Sequence, residues 1–543
     1  MKPIYLFALI FIITSCYKSG EADMIIHNAR IYSCDEDFNV YEAMAIKNGK
    51  IIQLGPEREI LNGYKCDNII DAANSPIYPG FHDAHCHFGG YAKTLNQVDL
   101  IGVVSFDEMI ERITSFEETN DFEWITGRGW DHTIWEESEF PTNERLNELF
   151  PDKPAVFQRV DGHAGLANQK ALELAGIDAN TVIEGGEIVV KDGKCTGLVK
   201  DNALDLVTSK IPDYSEEFML SLLQRAEEDL FEVGLTSIND AGVNAIERER
   251  FVKWYLNNNL KIKDYCMLFA EDENLEFAKE NGIYSEGNLT IRSFKVLSDG
   301  SLGSRSACLI DPYSDDPHNH GFLLKSLDEF REIADLAVSL HYQVNTHCIG
   351  DSANRSILKV YEEMIGSEND HRWKIEHAQV LQEKDFDYFE MYNIIPSVQP
   401  THCTSDMRWA EQRLGKERVK NAYAYQKLLD KAGLLALGTD FPVERISPLE
   451  TFYAAVSRMD RNGFPEGGFQ NENAISREDA LRGITIWPAY SNFQEDLKGS
   501  LEEGKAADFV ILTKDIMTIP FEEILSTYVE QTYLNGELVF ESE

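Results

Sequence analysis

Basic side chains are scarce in this chain. Its 543 residues hold 50 Lys and Arg against 93 Asp and Glu, a formal charge of −43, which leaves no basic footprint for a nucleic-acid partner and repels polyanions at long range. Cysteine is sparse and irregular, nine residues at 16, 34, 66, 86, 195, 266, 308, 348 and 403 without a CxxC. Neither a disulfide framework nor a cysteine-based zinc site is indicated. After residue 16 no stretch approaches 18 apolar residues, so no later segment reads as a membrane span. A Gly-rich phosphate loop and an internal repeat are missing too. What is present is 43% apolar, 26% charged and 11% aromatic, the composition of a large globular protein. Its length suits about two to four domains.

Residues 1–16, MKPIYLFALIFIITSC, carry one Lys and then an apolar run over 4–13, too short to span about 30 Å of hydrocarbon as a helix. The segment reads as an export signal. Its end, Ile13-Thr14-Ser15-Cys16, resembles the lipobox of bacterial lipoproteins, in which the signal is cut before the cysteine and the thiol is acylated. Cys16 is then a lipid anchor, residues 17–23 (YKSGEAD) a polar tether, and the rest an extracytoplasmic protein that meets the membrane only through its N-terminus.

Residues 24–78 alternate like strands around an Asn48-Gly49 turn, and the C-terminus repeats the device around Asn535-Gly536. Asn-Gly between apolar runs is the strongest short hairpin signal. Neither piece is large enough to stand alone, so 24–78 and 488–543 are expected to pair as one composite β-sandwich. Between them apolar β-branched runs alternate with helical patterns: strands ending at His85 and covering 236–240, 265–269, 291–297, 342–346, 373–376, 394–398 and 434–437, with a capping box at Ser326 and Glu329. Eight such strands predict an α/β fold, a TIM-like (β/α)8 barrel over 79–487. Residues 88–225 are too long for a loop and are expected to form an inserted subdomain after the first strand.

Within Pro79-Gly80-Phe81-His82-Asp83-Ala84-His85-Cys86-His87, a period of two turns His85 and His87 to one side of a strand, where one ion can take both. A lone HxH arises by chance. His347, His377 and Asp440 also fall at strand ends, which in a barrel converge on one mouth. Four imidazoles and a carboxylate there suit zinc or a neighbouring divalent metal, and the lack of clustered thiolates argues against a closed structural site.

At this point the chain resembles the amidohydrolase superfamily, specifically its YtcJ-like branch, which includes N-substituted formamide deformylases. The resemblance runs from Met24 to about Phe540. It rests on the 79–87 motif, Asp161-Gly162-His163, the 294–305 segment from Phe294 to Arg305, Thr346-His347-Cys348-Ile349-Gly350-Asp351, Ile375-Glu376-His377-Ala378-Gln379, Gln399-Pro400, Leu437-Gly438-Thr439-Asp440-Phe441-Pro442 and Gly504-Lys505-Ala506-Ala507-Asp508. It implies that His85 and His87 hold one metal, that His347 and His377 hold a second, and that Asp440 is a ligand that also moves protons. Lys295 falls where related enzymes carry a carboxylated lysine bridging two metals; one-metal sites also occur in the superfamily. An uncharged or carboxylated lysine is tolerable beside cations, an ammonium is not; otherwise Lys295 is a charged partner for Asp299 or Glu376.

The implied chemistry is hydrolysis of a carbon–nitrogen bond other than a peptide bond, with metal-activated water attacking the carbonyl of a small N-substituted amide and Asp440 as general base, then acid. Substrate contacts are expected from Trp130, His132 and His163 in the insertion, from Arg305 as a clamp for a substrate carboxylate or a tie to backbone, and from Gln399 as a donor to the reacting carbonyl or a strand cap. His82, His318, His320 and His402 have no assigned role. The competing readings are a deaminase of a ring C–N bond and a catalytically silent solute-binding lipoprotein; the latter is disfavoured because every expected ligand position is filled. A homo-oligomer is left open. With so much negative charge around the pocket, a neutral or cationic amide is the easier substrate to attract.

Overall fold

The computed structural model describes residues 20–119, 122–137, 139–160, 162, 164–183 and 186–542. The signal segment with Cys16, and His163, lie outside the described residues. Eight parallel strands form the central sheet in sequential order: β1 Phe81–Cys86, β2 Leu235–Val243, β3 Lys263–Phe269, β4 Leu289–Leu297, β5 Gln343–His347, β6 Lys374–Glu376, β7 Ile395–Val398 and β8 Ala436–Leu437. A short strand, Tyr284–Glu286, adds antiparallel to β4. Backbone bonds close the seam between β8 and β1, with Asp440 N–H donating to the His85 carbonyl (2.7 Å) and His87 N–H to the Phe441 carbonyl (2.8 Å). This is the (β/α)8 barrel that the spacing of apolar runs predicts.

The alternation along each strand explains the layers. On β4, Phe294 and Val296 belong to the main apolar core, while Lys295 between them reaches His85 inside the barrel. The crossover helix Leu327–Leu340 buries Phe330, Ile333, Ala334 and Ala337 along one stripe. Its start is fixed by a capping box in which Glu329 N–H donates to Ser326 Oγ and Ser326 N–H to Glu329 Oε2. That arrangement satisfies two of the first-turn donors that otherwise lack partners.

Both chain ends build two facing sheets. One orders Lys50–Gly55, Ala43–Lys47, Met24–His27 and Ile69–Asp71; the other orders Glu537–Glu541, Val529–Leu534, Phe509–Leu512, Pro76–Pro79, Arg30–Tyr32 and Val40–Tyr41. Ile26, Ile31, Met44, Ile46, Ile77, Phe509 and Ile511 fill the space between them. The two Asn-Gly turns have positive φ at both residues, the conformation a two-residue hairpin of this twist demands. They also touch: a Cβ on Gly49 would stand 2.7 Å from the Asn535 carbonyl oxygen.

Between β1 and β2 six further strands make a separate mixed sheet, in the order Val98–Asp99, Ile125–Trp130, Ala155–Arg159, Ala164–Ala167, Lys194–Asp201 and Gly186–Lys191. It has an apolar core of its own, including Val98, Met109, Ile113, Trp130, Phe157 and Leu166.

Candidate metal centre

At the C-terminal mouth of the barrel, His85 from β1, His377 directly after β6 and Asp440 after β8 bring one ligand atom each within 4.8 Å of one another, all three side chains buried. His347, the last residue of β5, stands edge-on to His377 with ring centroids 4.6 Å apart. His87 Nε2 lies 3.0 Å from Asp440 Oδ1. The five strand-end groups that the sequence singles out therefore do converge, but the tightest triplet takes one histidine from each of the two expected pairs, instead of keeping His85 with His87 and His347 with His377.

Two outer acceptors orient the rings. His85 Nδ1–H donates to Glu376 Oε2 at 2.6 Å; a carboxylate can only accept, so the proton sits on Nδ1 and Nε2 keeps its lone pair for the mouth. His377 Nδ1–H donates to Gln399 Oε1 at 2.7 Å, which fixes the same tautomer there. The carbonyl end of Gln399 thus serves His377, while its buried amide nitrogen has no hydrogen-bond partner among the described residues and keeps its donors for the expected reacting carbonyl. Glu376 and His377 are consecutive yet both face inward, because His377 (φ +73°) and Ala378 (φ +41°) are left-handed and break the alternation of β6. Asp440 (φ +62°) is left-handed as well. Strain of this kind gathers at functional sites.

Burial sets the charge states. It drives His347 down to about 3, with Lys295 adding to the effect, and holds His377 and His85 low as well. The imidazoles are therefore neutral donors. Burial pushes Asp440 upward, but the hydrogen bond from His87 and the fields of His85 and His377 outweigh it and keep the carboxyl well below its usual range. Glu376 is likewise pushed up by burial and brought down to about 2 by His85, Lys295 and Lys374. Buried His347 Nε2 has no hydrogen-bond partner among the described residues, and Asp440 Oδ1 faces the His87 ring at 3.0 Å, the state of ligand atoms left for a cation. The residues fit a divalent metal: neutral imidazoles, an ionised carboxylate, and unmet lone pairs. One group opposes it, because Lys295 Nζ stands 3.1 Å from His85 Nε2. Burial lowers the basicity of this amine.

Asp83 escapes sequence reasoning. Its carboxylate accepts from His85 N–H (3.0 Å), Thr439 N–H (3.1 Å) and Thr439 Oγ1 (2.7 Å), pinning β1 to the loop that carries Asp440. His402 is also part of the mouth, its ring stacked 6.0 Å from His377 and its Nε2 3.7 Å from Asp440 Oδ2. Trp130 is a correction: it is fully buried in the insert, where its indole N–H donates to the Phe157 carbonyl at 2.8 Å, so it is insert core and not a substrate wall. His132 does reach a cavity, stacked 3.9 Å from Phe140. Arg305 grips Asp315 through two donors (3.2 and 2.9 Å) at the edge of the same cavity. His82 points to Asn239 (2.8 Å) within the barrel.

A closed parallel barrel that gathers imidazoles and a carboxylate at its strand ends, with polar partners orienting the rings, defines a metal-dependent hydrolase. The chain belongs to the amidohydrolase family, which it matches over residues 68–540. It is 32% identical to Protein LONG AFTER FAR-RED 3 of Arabidopsis thaliana (96% of this chain, 92% of that one) and 29% identical to the putative amidohydrolase YtcJ of Bacillus subtilis (95% and 99%). It is 26% identical to the N-substituted formamide deformylase of Arthrobacter pascens (96% and 98%). Among solved structures, an uncharacterized metal-dependent hydrolase from Pyrococcus horikoshii superposes with a TM-score of 0.78 at 29% identity, over 92% of this chain and 99% of that one. The protein is a metal-dependent hydrolase of carbon–nitrogen bonds.

Proposed function

We propose that the protein hydrolyses a small N-substituted amide, R–CO–NH–R′ + H2O → R–COO⁻ + R′–NH3⁺, with zinc held by His85, His377 and Asp440, and His87 and His347 at its flanks. The observation that carries this reading is the buried triplet of ligand atoms within 4.8 Å, two of its members already oriented by Glu376 and Gln399. Similarity to a deformylase of N-substituted formamides supports the amide as substrate. When bound, the metal supplies Lewis acidity, making water acidic and a carbonyl carbon electrophilic.

The chain's own groups do the rest. Asp440 enters as a carboxylate, takes the water proton on a carboxylate oxygen and returns it to the leaving nitrogen, a base that becomes an acid within one turnover. Glu376 and Gln399 hold the rings of His85 and His377, so that no reorientation is needed as charge develops. Lys295 serves uncharged or as its carbamate, formed from CO2 with loss of one proton, because an ammonium 3.1 Å from His85 Nε2 repels a cation. His132 lines the cavity at the entrance, and substrate contact is the role assigned to His163. The protein works outside the cytoplasm, anchored through acylated Cys16.

Elemental analysis of purified protein combined with a screen of N-formyl and N-acyl amines tests the activity. Stoichiometric transition metal and release of a carboxylate with an amine are expected. Metal-poor protein that is unaffected by His85→Ala with His377→Ala overturns the reading. Labelling with a radioactive fatty acid tests the anchor, and a Cys16→Ala variant is expected to lose the label and leave the membrane fraction.

A further inference from the structure

Beside the metal centre lies a cavity of about 1050 Å³, walled on one side by the insert and on the other by the loop after β4. In a chain with 93 acidic and 50 basic residues, its described lining holds four cations, Arg159, Lys200, Arg305 and Arg413, and no carboxylate. Acidic partners stand behind the wall: Asp131 with Arg159, Glu187 with Lys200, and Asp315 shared by Arg305 and Arg413. The last arrangement decides the sign. Asp315 is the carboxylate in contact with both guanidiniums, which leaves a positive charge over at contact range, Asp316 acting on Arg305 through its field, and a guanidinium is a fork that matches a planar carboxylate. A single excess charge suits a monoanion, not a dianionic phosphate ester.

The same cavity carries apolar contact surface. The rings of Phe140 and Phe322 are exposed, Phe140 is backed by His132, and Lys200 stands 5.7 Å from the Phe140 centroid. The cavity adjoins the metal centre: Gly300 lines it and its backbone bonds the His347 ring. From these observations, and resting on the amide-hydrolase reading above, we propose that the substrate is an amide bearing a free carboxylate and an aryl or bulky alkyl group, as in an N-acylated aromatic amino acid. The carboxylate is held by Arg305 and Arg413 and the apolar group by Phe140 and Phe322. The local field thus reverses the preference for neutral or cationic substrates that total charge suggests.

The test uses the zinc-loaded mature chain and a matched pair that differs only in the carboxylate, N-formyl-L-phenylalanine and N-formylphenethylamine. Equilibrium binding is measured by calorimetry and turnover by amine release. The carboxylate compound is expected to bind at least about tenfold more tightly, with a preference that shrinks in 0.5 M salt, and Arg305→Gln is expected to weaken its binding at least about fivefold. Lys200→Gln, on the opposite wall of the cavity, provides a second variant should Arg305→Gln fail to fold, with a smaller loss in the same direction. Equal affinities, a preference for the neutral compound, or no binding of either overturns the inference. Hydrolysis of the neutral compound alone upholds the amide reading while overturning this one; selective binding of the carboxylate without hydrolysis does the reverse.

Discussion

Glu376 is where one side chain decides how another behaves. Its carboxylate accepts from His85 Nδ1, so Glu376→Gln weakens the acceptor and frees the ring. Metal affinity should fall by about 10–100-fold, the usual cost of losing such a partner, read by chelator competition, while the fold is kept. This pairing was not legible in the sequence, because strand alternation assigns Glu376 and His377 to opposite faces and only the left-handed backbone at His377 brings both inside. The bond from His377 to Gln399 escaped for the related reason that a side chain's partner across the barrel depends on register. A second residue sets a pH response. Lys498 is buried, and burial, helped by Lys263, brings its amine down to about 7 from 10.5. The folded state therefore holds fewer protons than the unfolded state between those values, so this residue makes stability rise with pH there, by at most about 1.4 kcal/mol per unit. Lys498→Met should flatten that rise between pH 7 and 9 in denaturant titrations, and it should raise stability most at the lower pH, where the wild type buries an ammonium.

Among the elements, the seam between β8 and β1 is the tightest constraint. A Cβ on Gly438 would lie 2.5 Å from the His85 amide nitrogen and 2.7 Å from Asp83 Oδ1, so Gly438→Ala must push Asp440 and His85 apart. A loss of about 1–3 kcal/mol is expected, seen as a lower Tm, and the metal content should fall with it. The eight strands were legible because each is a short apolar run followed by a helical stripe, and the capping box at Ser326 because its two residues are adjacent in the chain. The site's histidines and Asp440 were legible as strand ends. What escaped depends on contacts between distant elements: Asp83 clasping Thr439, His402 reaching Asp440 from the helix after β7, and Trp130 lying inside the insert instead of on its surface. An aromatic ring beside Gly and Asp looks the same in sequence whether it faces solvent or core, and only its indole bond to Phe157 separates the two.

Over the whole molecule, charge acts at two ranges. The acidic surface governs solubility and distant encounters, whereas within the screening length of about 8–10 Å the cationic cavity wall governs what docks. The composite sandwich works at the largest scale, since the strand Phe509–Leu512 pairs with Pro76–Pro79 on one side and with Val529–Leu534 on the other. A chain ending at residue 528 lacks the final hairpin and the buried Thr532, Tyr533 and Leu534. It should be recovered mainly as aggregate, scored by the soluble fraction after expression, because the exposed edge strand invites pairing between molecules. The same closure has a temporal meaning. A ribosome must finish nearly the entire polypeptide before the first sheet can find its missing neighbour, so the sandwich stays open throughout synthesis and locks only once the tail has emerged.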